Sequence, residues 1–325
     1  LFYPRQRRDA DGGGALGDSI KKPPPWGGGL RTLFNQELVL NGRGAVATAH
    51  LSYAGIGVYR TYLSDGGEVV ANYPGYEQLN RYAENLGAKV HRIRVLDDMS
   101  PDFTGLEKAV NQNTKVINIC NPNNPTGTVH GSQAVEGFVR RVMRESSGTI
   151  VHMDEAYINY ADPGAMETGL PLALEFENVF ISRSFSKAHG IAGLRVGYAL
   201  GQEQTLDAIG GAWGMGDVNM LGAIAAVTAL EDEEHIEWER KENAEIRAFT
   251  IAAFRDMGYE VADCHTNHIF VNIRRPASEF RAACLEQKIL VGRDFPPMHN
   301  THCRISIGSR EEMEKAVQVF RHVLA

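Results

Sequence analysis

At 325 residues the chain is too long for one small binding module and suits two domains at the usual figure of roughly 100 to 200 residues each. Hydrophobic residues make up 43%, charged residues 22% and aromatic residues 8%, a globular composition that excludes a disordered tail or a fibrous scaffold. Lys and Arg total 33 against 40 Asp and Glu, a net charge of -7; with no long basic run and no apolar run of roughly 18 to 20 residues, neither nucleic acid nor a membrane is an expected partner.

The four cysteines, Cys120, Cys264, Cys284 and Cys303, are widely spaced and form no C-x-x-C pair. Neither a disulfide framework nor a metal site is expected, and a reducing cytoplasm is the expected location. Arg7-Arg8 lacks the apolar segment that would make it an export signal.

Residues 1 to 30 carry Gly12-Gly13-Gly14, Pro23-Pro24-Pro25 and Gly27-Gly28-Gly29 and read as an irregular arm. From about Gly67 short β-rich runs alternate with helical patterns. Strands are predicted at Glu68 to Ala71, Val90 to Val95, Lys115 to Cys120, Thr149 to Met153, Asn178 to Ser182 and Arg195 to Leu200, and helices at Tyr76 to Leu86 and Ser132 to Arg144. Thr104 with Glu107 reads as a capping box opening another helix. After Gly201 the rhythm slows to a long helix over Glu233 to Met257, strands at His268 to Ile273 and Arg304 to Ile307, and a helix near Ala277 to Gln287. A last helix, capped by Ser309 with Glu312, reaches Leu324. The expected fold class is α/β, a large domain with a mostly parallel sheet covered by helices plus a smaller α+β domain. The large domain is expected over residues 30–210, with 1–29 and 211–325 forming the arm and the smaller domain.

Sheets of this kind bind ligands beyond the carboxyl ends of their strands, and three polar clusters fall there. Asn121-Pro-Asn-Asn-Pro-Thr-Gly127 follows one strand, Met153-Asp-Glu-Ala-Tyr157 ends the next, and Ser182-Arg-Ser-Phe-Ser-Lys187 ends a third, with Arg195 eight residues beyond Lys187. Taken singly they read as a tight turn, a helix cap or strand-end salt bridge, and a solvated lysine. Together they place an acid able to neutralise a cationic ring nitrogen beside hydroxyls, an arginine and an amine. A lysine desolvated near other cations can lose its proton and attack a carbonyl.

In this order the clusters resemble those of the fold-type I pyridoxal-phosphate enzymes, and among them the histidinol-phosphate aminotransferase-like members of the class I/II aminotransferases. The resemblance runs from about Gly67 to the C-terminus. It implies pyridoxal 5′-phosphate as cofactor, held by Lys187 as a Schiff base, with Lys187 also moving the proton at the substrate α-carbon. It implies that Asp154 keeps the ring nitrogen protonated, that Tyr157 and Asn124 bond the ring's phenolic oxygen, and that Tyr76 stacks on the ring. Ser184, Ser186 and Arg195 match the phosphate ligands, and the amides near Leu51 and Ser52 correspond to the helix N-terminus that completes the cradle. Relatives carry a Gly-Ser-x-Glu type of turn there, whereas this chain reads Ala49-His-Leu-Ser-Tyr53. Arg304 matches the clamp on the substrate carboxylate, and Asn267 and Arg293 fall where relatives line the substrate side chain.

The activity so implied is transfer of an amino group between an L-amino acid or amine and a 2-oxo acid, the donor being histidinol phosphate or an aromatic or basic amino acid. A decarboxylase, lyase or amino-acid oxidase on the same scaffold would use the same cofactor residues, and a binding module that had lost the chemistry would not need Lys187, Asp154 and Arg195. A homodimer is implied, with the second chain completing the cofactor pocket.

Overall fold

The computed structural model describes residues 45–49, 51–211 and 218–325, with side chains described from Gly57 onward except at residue 211. The arm expected over residues 1–29 and His50 lie outside the described residues. Seven strands form the main sheet: β1 (Ala45–Ala49), β2 (Glu68–Tyr73), β3 (Lys89–Arg94), β4 (Thr114–Cys120), β5 (Ile150–Asp154), β6 (Val179–Ser184) and β7 (Gly197–Gly201). Their order is β1-β7-β6-β5-β4-β2-β3, and β7 alone runs against its neighbours.

Successive residues of the central strands point to opposite faces, and both faces are apolar. Val70, Ile117, Val151 and Ile181 face one core, which α4 (Ser132–Glu145) closes with Phe138, Val139 and Val142 and α5 (Leu170–Glu175) closes with Leu172. Their neighbours Val69, Val116, Ile150 and Phe180 face a second core, where α1 (Leu51–Tyr62) contributes Val58 and Tyr59, α2 (Glu77–Asn85) Leu79 and Ala83, and α6 (Glu203–Gly211) Leu206 and Ile209. Each such buried Phe, Ile, Leu or Val contributes about 1.5–3 kcal/mol. α3 (Phe103–Ala109) starts two residues earlier than expected. Asp102, not Thr104, caps it, accepting from the Gly105 amide at 2.8 Å, because an aspartate preceding the first helical residue reaches that amide directly.

α7 (Met220–Glu231) joins the first core through Ala226, whereas α8 (Glu233–Asp256) leads into a separate core. There β8 (Glu260–Val261), β9 (His268–Asn272) and β10 (His302–Ser306) form an antiparallel sheet in the order β10-β9-β8. The helices α8, α9 (Ala277–Glu286) and α10 (Arg310–Leu324) bury Phe254, Phe280 and Phe320 with Phe270 of β9. The expected box at Ser309 and Glu312 is present: each side chain bonds the other's backbone amide. The expected strand start at Arg195 moves to Gly197, since Arg195 itself has left-handed φ/ψ of 58° and 47° and closes the preceding turn. No described helix is long and apolar enough to cross a membrane.

The chain builds β2 and β3 outward and then returns past β2 to β4, so the strand order reverses between β2 and β4. That reversal opens a crevice at the carboxyl ends of the strands. Register carries one row of positions along this edge: Cys120 pairs with Asp154, Asp154 with Ser182, Ser184 with Gly197, and Gly197 with Ala49. The start of α1 therefore sits at the same edge as the ends of β4, β5 and β6.

Candidate active site

The loop after β4 is closed by its own side chains. Asn121 Nδ2 donates to the His130 carbonyl at 3.2 Å while Asn121 Oδ1 accepts from the His130 amide at 2.9 Å. Asn123 Nδ2 reaches the Pro74 carbonyl at 3.2 Å, tying the loop to the end of β2 across the crevice. Gly127 completes the turn with φ of 74°, and a Cβ there would lie 2.9 Å from Cys264 Cβ, so glycine suits both the conformation and the approach. The Gly127 carbonyl accepts from the His265 amide at 2.7 Å, which docks the loop onto the segment leading into β9.

Asp154 ends β5 and is 6% exposed. Its Oδ1 accepts from the Ala156 amide at 3.0 Å. Burial pushes its carboxyl up to about 6, against the lowering effects of that amide and of the Lys187 charge. Lys187, in the turn after β6, has its Nζ 5.0 Å from the centroid of the Tyr157 ring. Burial lowers its ammonium from the usual range, and the charges of Arg304 and Arg195 add to that effect while Asp154 opposes it. Tyr157 is buried, which raises its phenol, and the nearby Arg304 opposes the rise through its charge and a hydrogen bond.

Arg304 on β10 closes the group from the second sheet. Its Nη1 donates to Asn124 Oδ1 at 2.9 Å, and its guanidinium lies 4.9 Å from the centroid of Phe295. The guanidinium of the exposed Arg293 lies 4.3 Å from the same centroid, and its charge, after burial, helps lower Arg304. Arg304 Nε is buried with no partner among the described residues. The structure thus brings Asn124, Asp154, Tyr157, Lys187 and Arg304 together, and Arg293 joins them through Phe295.

The other expected residues stand around this group. Ser184 is 5% exposed, and its Oγ accepts from the Ser186 amide at 3.1 Å. Ser186 is half-buried, and the exposed Arg195 donates to the Ala192 carbonyl at 2.8 Å. Tyr76, half-buried at the start of α2, donates to Gln78 Oε1 at 2.7 Å. Leu51 and Ser52 are the first residues of α1, and their side chains lie outside the described set. Asn267 faces Tyr160 rather than the Lys187 group: the two side chains are hydrogen-bonded, and the Tyr160 hydroxyl donates to Glu239 Oε1 at 3.1 Å.

Two further residues belong to the group. Cys120, the Cα partner of Asp154, is buried, and its thiol is pushed well up by burial and by the Asp154 charge. His268 opens β9 with its ring edge-on to Tyr157, at 5.2 Å between centroids and 81° between planes. Sequence patterning marks His268 only as a strand residue, because nothing local shows that β9 is laid against the end of β5. Chemically the group offers a desolvated amine, a buried carboxylate and a guanidinium with spare donors around one crevice. That set can attack a carbonyl, neutralise a cation and bind an anion.

The family model for aminotransferase class I and II matches residues 33–320. Among the relatives is the histidinol-phosphate aminotransferase of Moorella thermoacetica, 30% identical over 266 residues, which span 82% of this chain and 68% of the relative. The Bacillus subtilis protein of the same name is 32% identical over 268 residues, 82% of this chain and 73% of its own. Among solved structures, a histidinol-phosphate aminotransferase from Sinorhizobium meliloti in complex with pyridoxal-5′-phosphate superposes with a TM-score of 0.76 at 25% identity. That match covers 86% of this chain and 76% of the other.

Proposed function

The chain belongs to the aminotransferase class I and II family and is a pyridoxal-phosphate-dependent aminotransferase, histidinol-phosphate aminotransferase-like; on that premise we propose the roles of its residues and its substrate class. The observation that carries the reading is the pairing of a desolvated Lys187 with a buried Asp154 beside Arg304. The side chains fit the cofactor's chemistry. A carboxylate buried to 6% exposure calls for a cation, and Arg304 Nε, buried without a partner among the described residues, calls for an anion.

In this reading Lys187, Asp154, Asn124, Tyr157, Tyr76, Ser184, Ser186, Arg195 and the first amides of α1 hold pyridoxal phosphate. Bound there, the cofactor supplies a carbonyl carbon that takes up the amino group and a protonated ring that accepts the electron pair left at the substrate α-carbon. Asp154 holds the proton on the ring nitrogen. Tyr157 and Asn124 hold the phenolic oxygen, and Arg304 orients both, since it bonds each of them. Lys187, its amine made easier to deprotonate by burial and by neighbouring cations, takes the α-proton and returns it one atom away. Ser184, Ser186, Arg195 and the α1 amides bind phosphate through hydroxyls, a guanidinium and a helix N-terminus.

Arg304 is the residue we assign to the substrate's carboxylate or other anionic end, with Arg293 toward its side chain; Asn267, bonded to Tyr160, takes no part in this assignment. Histidinol phosphate is the first donor to test, followed by aromatic and basic amino acids, with a 2-oxo acid as acceptor. We also propose a homodimer, supported by the outward apolar face of α7, where Met220, Leu221 and Ile224 are 71%, 70% and 46% exposed. The direct test is the absorption spectrum of purified protein with pyridoxal phosphate, then with each donor, then with a 2-oxo acid. Conversion of the cofactor to its aminated form and back supports the reading, and a protein that forms no cofactor band overturns the assigned site.

A further inference from the structure

The roles above leave His268 without a task. It is 1% exposed, lies against Tyr157, and pairs across the small sheet with Ser306 of β10. The Pro125 carbonyl accepts a hydrogen bond from its ring, while Nε2 is buried with no partner among the described residues. An imidazole that donates through one nitrogen and stays neutral carries a bare lone pair on the other. The titratable and charged groups acting on it are Arg304 and Lys187, with the phenol of Tyr157 in ring contact. Burial and the two cations hold the ring neutral, well below the usual imidazole range.

In the neutral ring Nε2 is an acceptor, and a buried acceptor without a donor is unfavourable unless a ligand supplies one. Arg304 Nε presents the opposite case in the same site, a buried donor that needs an acceptor. Under the aminotransferase reading the substrate's amino group goes to the chemistry at Lys187 and its anionic end to Arg304. Its side chain is the part left to meet His268.

We infer that His268 is a specificity-determining residue whose Nε2 accepts a hydrogen bond from a ring N–H or O–H on the substrate side chain, so that the site prefers such rings over an apolar ring of similar size. The inference rests on the aminotransferase site proposed above. A pocket that hydrogen-bonds a substrate group rejects an analogue lacking that group far better than an apolar pocket rejects an added one.

The test uses pyridoxal-phosphate-loaded protein and two unreactive carboxylates, 3-(imidazol-4-yl)propanoate and 3-phenylpropanoate, whose dissociation constants are measured by calorimetry at pH 8. Wild type is compared with His268→Phe, which keeps an aromatic ring against Tyr157, and with His268→Gln, which keeps an acceptor. The preference for the imidazole ligand is expected to fall about tenfold in His268→Phe and to stay within threefold of wild type in His268→Gln. The ¹⁵N spectrum of histidine-labelled wild type is expected to show one unprotonated ring nitrogen for His268 that shifts when the imidazole ligand binds. An unchanged preference in a His268→Phe protein with the wild-type cofactor band overturns the inference and leaves the aminotransferase site standing. So does a protonated Nε2. A wild type with no cofactor band overturns the site and this inference with it.

Discussion

Asn124 and Arg304, 180 residues apart in the chain, are joined by a hydrogen bond of 2.9 Å that links the loop after β4 to β10 of the second sheet. A guanidinium held this way keeps its remaining donors aimed for an anion, so if Arg304 is the proposed substrate clamp, the bond to Asn124 orients it. Replacing Asn124 by Ala is expected to raise KM for a carboxylate acceptor by about tenfold or more, the usual effect of losing a hydrogen bond to a charged group. Replacing Arg304 by Lys keeps the charge and loses the fork, and is expected to cost more than Asn124→Ala. Steady-state kinetics on the three proteins decide the point; equal KM values would show that the bond does not orient the clamp.

Lys187 is the expected covalent anchor, because it is the desolvated amine beside the buried carboxylate. Borohydride reduction followed by peptide mass spectrometry is expected to find the cofactor adduct on the peptide containing Lys187. A Lys187→Ala protein is expected to carry no adduct and to lose activity by at least about 10²–10⁴-fold, the range attributed to a positioned acid or base. An adduct on any other lysine would move the active site elsewhere.

Asp154 gives a prediction whose sign follows from its environment. Its carboxyl is raised from 3.8 to about 6 in the folded protein, so folding favours the protonated form. The stabilising contribution is full below pH 3.8 and is lost as pH rises through about 6. At pH 7 the cofactor-free protein therefore holds an ionised carboxylate in an unfavourable place, at a cost of up to about 3 kcal/mol for a shift of that size. Asp154→Asn keeps the acceptor for the Ala156 amide and removes the charge. The cofactor-free variant is expected to melt above cofactor-free wild type at pH 7 and level with it near pH 4, while losing catalysis by at least about 100-fold. Thermal melts at both pH values, with turnover alongside, check this, and a variant that melts lower at pH 7 would contradict the buried-charge account.

Much of this site is legible in the sequence itself. The strands around Cys120, Asp154 and Ser184 are short apolar runs with polar residues at their ends, and such runs stand out because parallel strands are buried on both faces. Three things were not readable. β1 and α1 precede the regular alternation, and the run Ala45 to Ala49 is too short and too small in its side chains to signal a strand. Arg195 looks like the start of a strand, since the left-handed backbone that ends its turn leaves no mark on a nonglycine residue. Asn267 and His268 are adjacent, and the pleat sends one toward Tyr160 and the other toward Tyr157. Which of the two meets the Lys187 group depends on how the second sheet docks, a long-range matter that local pattern does not encode.

The outward face of α7 yields the last prediction. Met220, Leu221 and Ile224 stand on adjacent turns with 71%, 70% and 46% of their surface open, while Ala223 and Ala226 on the same helix face the protein. A helix that is apolar on its inner and outer faces alike is one that expects cover on both sides. If a second copy supplies it, light scattering is expected to give a dimer for the wild type, and the double change Leu221→Asp with Ile224→Asp is expected to give monomer, because two unpaired carboxylates cannot be buried in an apolar interface. The same variant reports on the site. If the partner completes the cofactor pocket, the monomer is expected to bind pyridoxal phosphate more weakly in spectral titrations while its circular dichroism stays that of the wild type. A wild type that is monomeric at every concentration, or a monomeric variant with undiminished cofactor affinity, would place the whole pocket within one chain.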